Sequence, residues 1–257
     1  MLVIRNEQMQ TMEKFALQEF ENELVEHIKT FAPKHSEVIK DEGVRKVVRL
    51  GIERSEKYGL TNRGPVRFYV EMMCMFGSDF DTDFQLPWAE GTLNNEVIKD
   101  QTQRADILHD KMVEYLKEVY GPDDKYSLDA LRRLSKAQPE DYNLTKQDFN
   151  NQMAAALHQI YPQKCEYLGD ELMNVLIRRG IDLARAHSIK SVSGTALMIA
   201  AMLALGHGFA ADPLFPWIES TLHDEAVADP NERAENLQRK IKIYLDRALK
   251  HLEQMRK

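Results

Sequence analysis

Residues 77–88 read GSDFDTDFQLPW and residues 206–217 read GHGFAADPLFPW, and the likeness of these two stretches decides the fold. Gly77, Phe80, Asp83, Pro87 and Trp88 recur as Gly206, Phe209, Asp212, Pro216 and Trp217, 129 positions later. Extending the same shift outward lays residues 20–116 on 149–245 without a gap, and roughly 26 of the 97 pairs are identical, several times what unrelated sequence gives. Phe20, Pro33, Asp41, Glu42, Gly51 and Ile52 recur upstream, and Asp100, Arg104, Ala105, Leu108, Tyr115 and Leu116 recur downstream. This pattern marks a tandem internal repeat.

The period within each copy is helical. Met9, Met12, Phe15/Ala16, Phe20, Leu24, Ile28 and Phe31 step by three and four along one long helix, with Asn6 as its cap and Pro33 as its stop. Asp41-Glu42 and Asp170-Glu171 place an acceptor at the start of a second helix, which ends near Gly59. A third, strongly apolar helix over about 62–76 and 191–205 ends at Gly77 and Gly206 and should be central. Asp212-Pro213 reads as a cap followed by proline at the first helical position, and Asp83 is expected to cap the same short helix in the first copy. A last helix opens at Asp100 and at Asp229, each with Gln or Glu three residues on. No sustained period-two alternation occurs. The fold class expected is all-α, with two tandem, pseudo-twofold-related repeats of about four helices each. The first repeat takes 1–120 and the second 149–257, with 121–148 a connector holding a short helix from Ser127 to Leu134.

Composition narrows the function. The net charge of -7 disfavours a phosphate backbone, so no nucleic acid is expected as partner. The longest apolar run, Ala196–Leu205, is about half a membrane span, and the amino terminus carries no long apolar segment, which points to a cytoplasmic protein without membrane contact. Cys74 and Cys165 are not equivalent under the repeat and suit free buried thiols in a reducing compartment.

Several residue groups bear on chemistry. Asp79, Asp81 and Asp83 alternate along one loop and are the candidate ligands for Ca²⁺ or Mg²⁺. The second copy replaces the first two by Gly208 and Ala210, however, so helix capping is the favoured role for the retained Asp83 and Asp212 and no metal or cofactor is assigned. Trp88, Trp217, Phe80 and Phe209 are read first as core and second as partner-binding candidates. His109-Asp110 and His223-Asp224 echo metal phosphohydrolase dipeptides but occupy non-equivalent positions, which favours solvated surface. His207 follows a helix-ending glycine, where its charged form is favoured. No nucleophile triad, phosphate loop or zinc spacing is visible, and no catalytic residue is assigned.

The opening Val3-Ile4-Arg5-Asn6-Glu7-Gln8 and the Gly77…Phe80-Asp81…Asp83…Pro87-Trp88 signature resemble a poorly characterised family of bacterial helical proteins encoded beside PAAR, VgrG and toxin genes of type VI secretion systems. The resemblance covers mainly the first repeat. It implies a cytosolic accessory role, as an immunity protein that blocks a toxin or an adaptor that holds an effector. The expected function is therefore non-enzymatic binding of a protein partner. A metal-dependent hydrolase and a structural homodimer are the alternatives.

Overall fold

The computed structural model describes the backbone of residues 6–255 and the side chains of 8–138 and 141–250. Among the described residues it is all-α, with eleven α-helices and no strand. In order these are α1 (Asn6–Phe31), α2 (Pro33–Glu56), α3 (Arg63–Phe76), α4 (Pro87–Leu93), α5 (Gln101–Tyr115), α6 (Lys125–Lys136), α7 (Phe149–Ile160), α8 (Pro162–Ala186), α9 (Val192–Leu205), α10 (Pro216–Leu222) and α11 (Pro230–Met255). The expected Asn6 cap, and Val3 to Arg5 of the opening stretch, lie outside the described side chains.

Local chemistry explains most boundaries. Asp100 accepts the Gln103 amide at 2.8 Å and starts α5, and Asp229 accepts the Asn231 amide at 2.9 Å ahead of α11. Gly59 takes φ +69° just past α2, and Gly77 and Gly206 end α3 and α9 at φ +99° and +94°, values that L side chains rarely adopt. Pro33 stops α1 and also opens α2 at its first helical position, where its missing N–H costs nothing.

Two expected starts need correction. Helix α2 begins at Pro33 and is interrupted at Lys40 (φ 61°), directly before Asp41; α8 begins at Pro162 and is interrupted at Gly169 (φ 65°), before Asp170. The acidic pairs thus follow a kink inside a longer element, and the Asp41 carboxylate accepts from Lys29 Nζ at 2.9 Å. In the connector, α6 starts at Lys125, with Asp124 in the left-handed region ahead of it. Ser127 sits inside the first turn and donates to the Asp124 carbonyl at 3.0 Å, so it is not the cap.

Helices α3 and α9 are central. Helix α2 crosses α3 at Gly51, where a Cβ would lie 2.6 Å from Val70 Cγ2; α8 crosses α9 at Gly180, where a Cβ would lie 2.5 Å from Ile199 Cγ1. The apolar residues of both halves form one continuous core, and α6 of the connector packs against α11 and α7.

Candidate functional site

The carboxyl ends of α3 and α9 meet. A Cβ on Gly77 would lie 3.0 Å from the Leu205 carbonyl oxygen, and one on Gly206 would lie 3.0 Å from that of Phe76. Just beyond, Asp83 Oδ2 accepts the His207 amide at 2.9 Å and Asp212 Oδ2 accepts the Ser78 amide at 2.9 Å. Their second oxygens close local turns: Asp83 Oδ1 takes the Gln85 amide at 2.9 Å and Asp212 Oδ1 takes that of Leu214 at 2.8 Å. This corrects the capping role. The short helices α4 and α10 begin at Pro87 and Pro216, and the aspartates four residues earlier stitch one half to the other. Burial drives the Asp212 carboxyl pKa upward, against the pull of its two amide donors.

The three loop carboxylates diverge. Asp79 pairs with Arg54 at 2.7 Å and packs against Gly208. Asp81 is buried and its Oδ2 accepts from Tyr58 at 2.9 Å and Tyr69 at 2.7 Å, while Asp83 is spent on amides. Among the described residues no group of three His, Cys, Asp or Glu side chains is placed to hold a metal.

The four aromatic candidates lie in the core or against it. Phe80 and Phe209 are 0% exposed, which puts them out of reach of any partner. Trp88 is half-buried, its ring 6.0 Å from Phe76 and 5.8 Å from Tyr115, and Trp217 stands 5.7 Å from Tyr244. The two His-Asp pairs do not meet: His109 is on α5 against Phe68, and His223 follows α10 against His187. His207 gives its amide to Asp83 and keeps Nδ1 buried without a partner.

Two features escaped the sequence reading. The first is an arm. Residues 8–19 of α1 are exposed without exception, including Met9, Met12, Phe15 and Leu17, and the helix enters the core only at Phe20. Periodicity signalled an apolar stripe but not that half of it would lack an intramolecular cover.

The second is a cavity of about 450 Å³ where the halves face each other, roofed by Leu128, Leu131 and Leu134 of α6. Its walls hold aligned pairs: His35 with Lys164, and Tyr115 with Tyr244. Lys164 sits in the first turn of α8 and donates to the Leu203 carbonyl at 2.6 Å, one of the last-turn acceptors of α9 left without a helical donor. Burial lowers its pKa to about 8, and Asp83 opposes that shift. His35 holds the matching place in α2. Burial draws its pKa down to about 4 despite the Cys74 carbonyl, and its Nδ1 has no hydrogen-bond partner. Neither residue belonged to a recognised motif; only their shared alignment position tied them together. No family model, no curated protein and no solved structure matches the chain.

Proposed function

We propose that this chain is a non-enzymatic binding protein that engages another protein through the exposed arm of α1. The exposed stripe Met9, Met12 and Phe15, at 50%, 63% and 63%, is the observation that carries the reading. Apolar side chains at that spacing on a free helix fit a partner's apolar groove, where their burial supplies affinity. Residues 8–19 carry Glu13, Glu19 and Lys14, one net negative charge, and the chain as a whole carries -7. The partner groove is accordingly rimmed with basic residues, which speed encounter. An accessory role in the bacterial cytoplasm, as toxin-blocking immunity protein or effector adaptor, is the biological form of this reading that the family resemblance suggests.

The two halves are, in the same proposal, copies of one ancestral unit related by a pseudo-twofold axis through the Gly77–Gly206 contact. Support comes from the reciprocal Asp83 and Asp212 bonds, the matched kinks at Lys40 and Gly169, and the matched crossings at Gly51 and Gly180. The axis accounts for the one-sided acidic loop: Asp79 touches its own aligned position, Gly208, where a second carboxylate would be repelled.

The test uses purified full-length chain and the purified toxin or effector encoded beside its gene. Phe15→Glu should cut affinity by roughly 30-fold or more, as loss of an interface anchor does, with the helical spectrum unchanged. Undiminished binding by that variant defeats the arm assignment. A molar mass that doubles with concentration in wild type but not in Phe15→Glu would identify a second copy as the occupant instead.

A further inference from the structure

We propose that the cavity between the halves is a binding site for a single amphipathic monocarboxylate, a fatty acid in chemical class, with Lys164 receiving the carboxylate. The site stands apart from the arm and does not depend on it. Its volume, about 450 Å³, lies in the range of small-molecule sites, and its wall is mainly apolar. Leu86, Leu128, Leu131, Leu134, Ile160 and Phe215 offer a surface for a hydrocarbon chain.

The polar groups define the other end. Lys164 is 9% exposed, and its one hydrogen bond among the described residues goes to a neutral carbonyl, so two ammonium protons have no acceptor there. A buried cation with no carboxylate in hydrogen-bond contact is costly, and a ligand carboxylate is the group that relieves the cost. Serving the end of α9 explains one of its three donors and leaves the rest. Tyr161 donates to the Val119 carbonyl at 3.0 Å, whereas the hydroxyls of Tyr115, Tyr120 and Tyr244 donate to no acceptor among the described residues. Phenol donors in the same wall as an ammonium supply further hydrogen bonds for a carboxylate head group.

The charge of the ligand follows from the same wall. Asp83 lies close enough to be felt by Lys164, but its oxygens are taken by the amides of Gln85 and His207 and by Gln85 Nε2. Asp124 is exposed and marks where the lining reaches solvent. Lys164 is the one Lys or Arg among the described lining residues, and a single ammonium suits a monoanion rather than a phosphate dianion. At the aligned position His35 is neutral above about pH 4, so the cavity has one charged end and the ligand one orientation.

Calorimetric titration of the full chain with dodecanoate, dodecanol and dodecyltrimethylammonium, each kept monomeric, tests this. Dodecanoate should bind one per chain and at least tenfold more tightly than the other two, and Lys164→Met should lose at least tenfold. If Lys164→Met does not fold, Tyr120→Phe should weaken dodecanoate alone, and wild-type affinity for dodecanoate alone should fall by tenfold or more from about pH 7 to pH 10 as Lys164 loses its proton. The titratable lining groups Cys74, Tyr115, Tyr120, Tyr161, Tyr244 and His35, and the neighbouring Cys165, stay silent across that range: the Tyr120, Tyr244, Cys74 and Cys165 pKa values are pushed up to about 12 by burial, Tyr115 and Tyr161 are pushed higher, and His35 titrates near 4. Equal binding of dodecanol, or indifference to Lys164→Met, overturns the carboxylate assignment. No binding of any probe overturns the site.

Discussion

Asp83 and Asp212 each accept a backbone amide from the opposite half, His207 and Ser78 respectively, both at 2.9 Å. Each carboxylate is at most 2% exposed and bridges two chain segments that are more than 120 residues apart. An asparagine there keeps one acceptor and turns an NH₂ toward a donor. Asp83→Asn and Asp212→Asn should each cost about 1–3 kcal/mol in denaturant unfolding. Because the two bridges flank one contact, the double variant should depart from the sum of the singles by more than about 0.5 kcal/mol.

Asp81 is fixed by Tyr58 and Tyr69. Tyr69→Phe strips the shorter of its two bonds inside the core and should destabilise by about 1.5–3 kcal/mol, and Tyr58→Phe by less, since that ring is half-buried. Calcium, magnesium and chelator should leave the melting temperature of the wild type unchanged. A rise with either ion would restore the metal reading of the loop.

Gly51 and Gly180 hold the same place at two helix crossings but differ in what a methyl group would strike. At Gly51 the obstacles are the ends of Val70 and Met73; at Gly180 they include the Ile199 Cα at 3.0 Å. Side-chain ends move and backbone does not. Gly180→Ala should therefore cost more than Gly51→Ala, within the roughly 1–3 kcal/mol usual for overpacking.

His35 sets an acid limit. Its pKa falls from 6.5 unfolded to about 4 folded, so between these values the unfolded chain takes up a proton that the folded chain refuses. The stability of the neutral ring is present above about pH 6.5 and is lost as pH drops toward 4, by up to about 3 kcal/mol. His35→Phe should flatten that part of the stability curve, measured by urea midpoints from about pH 7 to pH 4.

The all-α class was legible because helix punctuation stands in the sequence. Gly77 and Gly206 sit at helix ends that demand positive φ, and Asp100 caps α5 with the bond its spacing implies. The site was legible only in part. Period-three and period-four spacing puts Met12 and Phe20 on one stripe, yet whether either is covered depends on which helix lies opposite, and that is a tertiary matter. Likewise Asp83, followed by Leu86 and Pro87 three and four residues later, reads locally as a cap; its actual acceptor duty, to a chain segment 124 residues away, has no local signature. Lys164 looks like any surface lysine of an amphipathic helix until α9 and α6 close over it.

The two thiols supply a clock for this architecture. Cys74 borders the cavity and Cys165 neighbours Lys164, and burial pushes both thiol pKa values up to about 12, which leaves them inert toward alkylation while they stay buried. Each alkylation event thus records a moment when the packing around that thiol has opened, and a guest lodged in the cavity would slow the rate at Cys74, which borders it.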